Sequence, residues 1–151
     1  VNDVAQVLTK PVFVQGKNNS KSETIVLADT NVLLNSGDVQ EISAVFAKMG
    51  VRIAVTKSIL REIKKKDEDL YINAYKNFIV INDKTEEIMK EAIFVHTHAP
   101  DNYVIAAAIV KRVPLISRDH VMLKVARAHG VDACVPEELI RQRSHAMGVL
   151  Q

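Results

Sequence analysis

The feature that most restricts how this chain can fold is a series of short apolar runs rich in Val and Ile, each too short for a helix and each separated from the next by a stretch with helical spacing. The runs are Ile25 to Ala28, Val51 to Val55, Phe78 to Ile81, Val113 to Ile116 and Val131 to Val135. Apolar character over so few residues, bounded by polar positions, reads as strands buried on both faces. Between them Val39, Ile42, Ala44, Val45, Phe46 and Met49, and later Val104, Ile105, Ala108 and Ile109, recur at the spacing of a helix face. Gly50 and Gly130 stand just before strands, where helix C-terminal caps are expected. Strand and helix in alternation predict an α/β fold, a three-layer α/β/α sandwich with a mainly parallel sheet, because parallel neighbours need a crossover and helices supply it.

The polar, turn-rich stretch Gly16 to Glu23 predicts a boundary. Residues 1–23 then form an N-terminal extension, a tail or an edge strand containing Val12, Phe13 and Val14. Residues 24–143 form the main domain, and residues 144–151 a polar C-terminal tail that includes His145. Lys64, Lys65 and Lys66 followed by Asp67, Glu68 and Asp69 read as the solvated end of one helix and the start of another. The chain has no apolar run long enough to span a bilayer, so no membrane partner is expected. Its single cysteine, Cys134, lies in an apolar run and excludes an intramolecular disulfide; a buried structural thiol and a reducing, cytoplasmic compartment are expected. A net charge of +2 is too small to identify a polyanionic ligand, because affinity for nucleic acid depends on where charge is placed.

Ligands of open α/β sheets bind beyond the carboxyl ends of the strands. Asp29 directly follows the first apolar run, and Asp119 follows the fourth after only Ser117 and Arg118. Glu62 lies on a helix expected to begin near Lys57, at the boundary of the face built by Ile59, Leu60 and Ile63. Asp101 follows Pro100 at the start of a helix expected over Asn102 to Lys111. Singly, each acid has an ordinary role: Asp29, Asp101 and Asp119 as helix caps, Glu62 as a partner of Lys65 or Lys66. Together on one edge they would repel one another and shift their pKa values unless a cation joined them. Carboxylate oxygens suit Mg²⁺ and Mn²⁺, and such ions can activate water and stabilise the leaving oxygen of a phosphodiester without a side-chain nucleophile.

The stretches Ile25 to Leu34 (IVLADTNVLL), Ser58 to Ile63 (SILREI), Asp101 to Ile109 (DNYVIAAAI) and Leu115 to Asp119 (LISRD) resemble, in order, the successive motifs of PIN domains. The resemblance runs from about Thr24 to Ile140. It implies a five-stranded parallel sheet, Mg²⁺ or Mn²⁺ as cofactor, and endonucleolytic cleavage of RNA. Asp29, Glu62 and Asp101 match the three central acids, Asp119 the more variable fourth, and Asn31 and Ser117 the polar positions that help arrange the site. Two settings stay open: the toxin of a toxin–antitoxin pair, with an antitoxin protein as inhibitor, and the nuclease domain of a longer RNA-processing protein with partners in a processing complex. The compact toxins begin almost directly with the first strand, unlike this chain. The resemblance also implies homodimer formation.

Arg61, Arg118, His120 and Lys124 lie near the acids in sequence and are candidate contacts to RNA phosphates. His96 and His98, just before Asp101, would serve either as a general base or as parts of a polar loop. Tyr71, Tyr75 and Phe78 are expected in packing, and without tryptophan no base-stacking platform is evident. A phosphatase would want a second aspartate at position 31, where Asn31 stands, and a receiver domain an adjacent acidic pair. The remaining alternative is a PIN-like module that docks RNA or protein without cutting.

Overall fold

The computed structural model describes residues 24–35 and 39–146. The expected extension at 1–23 and the last residues, 147–151, lie outside them. The described chain forms one all-parallel sheet of β1 (Thr24–Ala28), β2 (Val51–Thr56), β3 (Ile79–Ile81), β4 (Leu115–Ile116) and β5 (Ala133–Cys134), in the spatial order β3-β2-β1-β4-β5. Helices connect successive strands: α1 (Thr30–Asn35) and α2 (Val39–Lys48) before β2, α3 (Lys57–Lys66) and α4 (Glu68–Asn77) before β3, α5 (Glu86–Ala92) and α6 (Asp101–Lys111) before β4, α7 (His120–Ala128) before β5, and α8 (Pro136–Ala146) at the end. This is the three-layer α/β/α architecture that the alternating pattern predicts. Among the described residues no helix is long and apolar enough to cross a membrane.

The strand order fixes where a ligand would bind. From β1 the chain lays β2 and β3 on one side, then returns to place β4 and β5 on the other. The crossovers therefore diverge at the carboxyl ends of β1 and β4, the position at which open α/β sheets bind their ligands. Ala28 pairs in register with Ile116. The residues that follow them, Asp29 and Ser117, thus leave the sheet as neighbours.

The core explains the apolar runs. Val26, Leu27, Ala54, Val55, Ile79, Ile81, Leu115 and Ile116 are buried on the central sheet, with Phe46, Ile59, Ile63 and Ile105 packed over it from the helices. In α6, Val104 through Ala108 are all buried, so this helix is enclosed rather than amphipathic, and α5 packs against it. Cys134 is buried in β5, as expected of a structural thiol, and burial pushes its pKa up. Tyr71 and Tyr75 pack against each other and the core, and Phe78 is buried.

Local chemistry sets the element ends. Thr56 caps α3 by accepting from the Ile59 N–H at 3.1 Å. Asp67 closes α3 and, by accepting from the Leu70 N–H at 3.0 Å, opens α4, which realises the junction read from the lysine and acid run. Gly50 and Gly130 end their helices with φ of 71° and 82°, a conformation that glycine adopts without steric cost. Three expectations need correction. Strand β4 begins only at Leu115, because Arg112 turns left-handed (φ 56°) and Pro114 lacks a donor for the ladder. Strand β5 covers only Ala133–Cys134 of the run from Val131 to Val135. Helix α8 continues to Ala146, with Ser144 buried and bonded to Met49 Sδ at 3.5 Å. The boundary drawn after residue 143 therefore falls inside a helix, and His145 belongs to that helix rather than to a tail.

Candidate active site

Asp29 is the buried centre of the site, only 6% exposed at the exit of β1. Its Oδ2 accepts the Ser117 hydroxyl at 2.9 Å and its Oδ1 the Thr30 N–H at 2.8 Å. Burial raises the Asp29 pKa; these two donors pull it back, while the charges of Asp119 and Glu62 push it up again, leaving it above the ordinary value. A buried carboxylate that lies near two other acids would gain from a cation beside it.

Ser117 and Asn31 bind the two strand exits together. Ser117 is fully buried; besides donating to Asp29, its oxygen accepts the Asp119 N–H at 3.0 Å and lies 3.4 Å from Asn31 Nδ2. Asn31 Oδ1 accepts the Arg118 N–H at 2.9 Å. Both residues fix the backbone that carries the acids. Asp119 caps α7, its Oδ1 accepting from Val121 and Met122 N–H at 2.9 and 3.3 Å. One carboxylate oxygen is thus committed to the helix, as the capping reading of Asp119 requires.

Glu62 reaches the same place from α3. Its boundary position leaves it half-buried, and the Thr30 hydroxyl donates to its Oε1 at 2.7 Å. Thr30 therefore holds two acids at once, Asp29 through its N–H and Glu62 through its hydroxyl. Asp101 is the first residue of α6. The cap position is Pro100, with no side-chain cap bond, so the Asp101 carboxyl is not spent on capping its own helix. Its pKa is raised from 3.8 to about 6 by burial first, then by the charges of Asp29, Asp119 and Glu62, with His98 acting in the opposite sense. His96 and His98 are exposed on the loop before α6, and neither lines the pocket.

All four acids line one pocket of about 260 Å³, together with Thr30, Asn31, Leu34 and Lys66. Carboxylate oxygens form a hard donor set, and their mutual repulsion is what a divalent ion would relieve. Among the described residues no group of three or more His, Cys, Asp or Glu side chains is placed so that it could hold a metal ion.

The four cations picked out from sequence are placed differently. Arg61, His120 and Lys124 are exposed on α3 and α7, and none of the four lines the pocket. Arg118 gives Nη1 and Nη2 to Glu137 at 3.0 and 2.8 Å. The sequence reading missed Thr30 as the bridge to Glu62 and Lys66 as a pocket residue. Lys66 had a legible signal, since it lies one helical turn after Glu62 at a spacing that places both on one face. Nothing local marked Thr30, whose partner is 32 positions away.

The strand order and the crossovers give the chain the fold of a PilT N-terminus, or PIN, domain. The chain is similar in structure to a PilT N-terminus domain protein from the hyperthermophilic archaeon Sulfolobus solfataricus P2, with a TM-score of 0.56 and 15% sequence identity over 80% of this chain and 93% of that one. No protein-family model and no curated protein sequence matches the chain.

Proposed function

We propose that this chain is a divalent-metal-dependent endoribonuclease acting through Asp29, Glu62, Asp101 and Asp119. The observation that carries the reading is the convergence of four acids from four separate segments on one pocket at the carboxyl edge of the sheet. A bound Mg²⁺ or Mn²⁺ would supply an acidified water and neutralise charge on the scissile phosphate. The chain's own residues prepare the place: Ser117 and Thr30 keep Asp29 oriented, Thr30 holds Glu62, and the Asp101 carboxyl stays uncommitted at the head of α6. RNA in the cytoplasm is the substrate class, and either setting, toxin or RNA-processing nuclease, fits the same site.

The test is cleavage of an end-labelled RNA pool by wild type and Asp29→Asn with Mg²⁺, with Mn²⁺ and with chelator. Metal-dependent cuts lost in the variant support the enzyme. A second reading, an RNA-docking module that does not cut, is favoured by one observation: among the described residues no group of three or more His, Cys, Asp or Glu is placed so that it could hold a metal ion. It predicts that RNA binds wild type and Asp29→Asn alike and that neither cuts it under any metal condition.

A further inference from the structure

A pocket lined by four carboxylates repels the phosphodiester it is meant to receive, so something besides a metal ion must hold the substrate backbone. Among the residues lining this pocket, Thr30 commits its N–H to Asp29 and its hydroxyl proton to Glu62. Asn31 has Oδ1 bonded to the Arg118 N–H and Nδ2 turned toward Ser117. Leu34 offers no donor. The remaining residue, Lys66, is the only cation that lines the pocket among the described residues.

Lys66 is distinguished from its neighbours by helix geometry. Consecutive residues on a helix point in different directions, whereas residues four apart share a face. Lys64 accordingly sets its ammonium over the Tyr71 ring at 5.2 Å, while Lys66 lies on the Glu62 face and borders the pocket. The ion pairs of Lys90 with Glu86, Arg118 with Glu137 and Arg141 with Glu138 do not involve Lys66. A lysine ammonium is a compact charge with rotatable donors on a flexible stem, suited to a phosphate oxygen regardless of base identity.

We propose that Lys66 is a substrate-binding residue of this site, donating to a non-bridging phosphate oxygen of the RNA strand and holding the backbone against the acids. The proposal rests on the nuclease reading for its substrate class, but its test does not need cleavage. The experiment measures binding of a fluorescein-labelled single-stranded RNA by anisotropy across a salt series, in the Asp29→Asn background so that the strand stays intact. Lys66→Gln is compared with Lys66→Arg and with Lys65→Gln, and thermal unfolding is followed for each.

Lys66→Gln is expected to weaken binding roughly tenfold at low salt and to flatten the plot of log affinity against log salt by about 0.7, the contribution of one phosphate contact on a single strand. Lys66→Arg restores both, Lys65→Gln changes neither, and the unfolding midpoint is the same in all. An unchanged salt slope in Lys66→Gln overturns the proposal, as does an equal loss in Lys65→Gln or the absence of RNA binding by the parent. If wild type proves unable to cut while the Lys66 slope changes as described, the nuclease reading fails and the Lys66 contact stands.

Discussion

The Ser117 hydroxyl donates to Asp29 Oδ2 at 2.9 Å across 88 positions of sequence, and both residues are buried where β1 and β4 leave the sheet. The contact follows from register, since Ala28 and Ile116 are paired one residue earlier. Ser117 thus joins two strand exits and supplies one of the two donors that offset the burial of Asp29.

Ser117→Ala should lower both stability and metal affinity. A hydrogen bond to a charged group contributes about 1.5–3 kcal/mol, and here the Asp119 N–H loses its acceptor as well. The bond favours ionised Asp29, so its loss is felt in full where Asp29 is charged and shrinks as pH falls through the carboxylate range. Thermal unfolding at pH 7 and pH 4, with Mn²⁺ titration at pH 7, checks this; unchanged Mn²⁺ affinity would reduce Ser117 to a space-filler.

Asp101→Asn should make the metal-free protein more stable at pH 7.5. The native pKa of about 6 exceeds the ordinary 3.8, so between those values the folded state holds more protons than the unfolded chain. Stability from this group is full below pH 4, is lost as pH rises through about 6, and stays low above. The carboxyl is partly exposed and screened, so the gain in the variant is about 1 kcal/mol, a rise of a few degrees in unfolding temperature. Unfolding in chelator from pH 4 to 7.5 should show the two proteins converging in acid; a less stable variant at pH 7.5 would contradict the account.

Mn²⁺ or Mg²⁺ should stabilise the wild type at neutral pH, by about 2.7 kcal/mol at a free concentration one hundred times the dissociation constant. The effect should fade below pH 6, where Asp101 takes up a proton, and the raised pKa of Asp29 acts in the same sense. Asp29→Asn and Glu62→Gln should each blunt it. Calorimetric titration at pH 7.5 and 5.5 separates this from non-specific ion binding, which would survive both substitutions.

Arg118 is engaged by Glu137 in a two-pronged pair at the protein surface. Exposed pairs of this kind contribute less than about 1 kcal/mol, so Arg118→Gln should barely move the unfolding midpoint. Glu137→Gln frees the guanidinium and should strengthen RNA binding a few-fold at low salt, an effect absent when Arg118→Gln is added. Equal RNA affinity in wild type and Glu137→Gln would place Arg118 outside the substrate path.

The sheet and the acids were legible because their signals are local. Val and Ile runs too short for helices mark the strands; Asp29 and Asp119 stand just past two of them, Glu62 on the helix after the second, and Asp101 at a helix start behind Pro100. Lys66 was legible as a neighbour of Glu62 on one helix face but not as a pocket residue, since a lysine run looks the same whether one member borders a pocket or all face water. Thr30 and Arg118 were obscured for a different reason. Their partners, Glu62 and Glu137, are brought near by packing, which no local pattern encodes. The boundary after residue 143 fell within α8 because the polar residues of that helix hid the burial of Ser144 against Met49.

The spatial order β3-β2-β1-β4-β5 also dictates a sequence of events in time. A chain emerges from the ribosome amino end first, so β1, β2 and β3 are available before β4 exists. Until β4 docks beside β1, Asp29 has no Ser117 hydroxyl to hold it and the pocket has no Asp119. A site divided between β1 and β4 is therefore completed only late in synthesis, after most of the sheet has already been made.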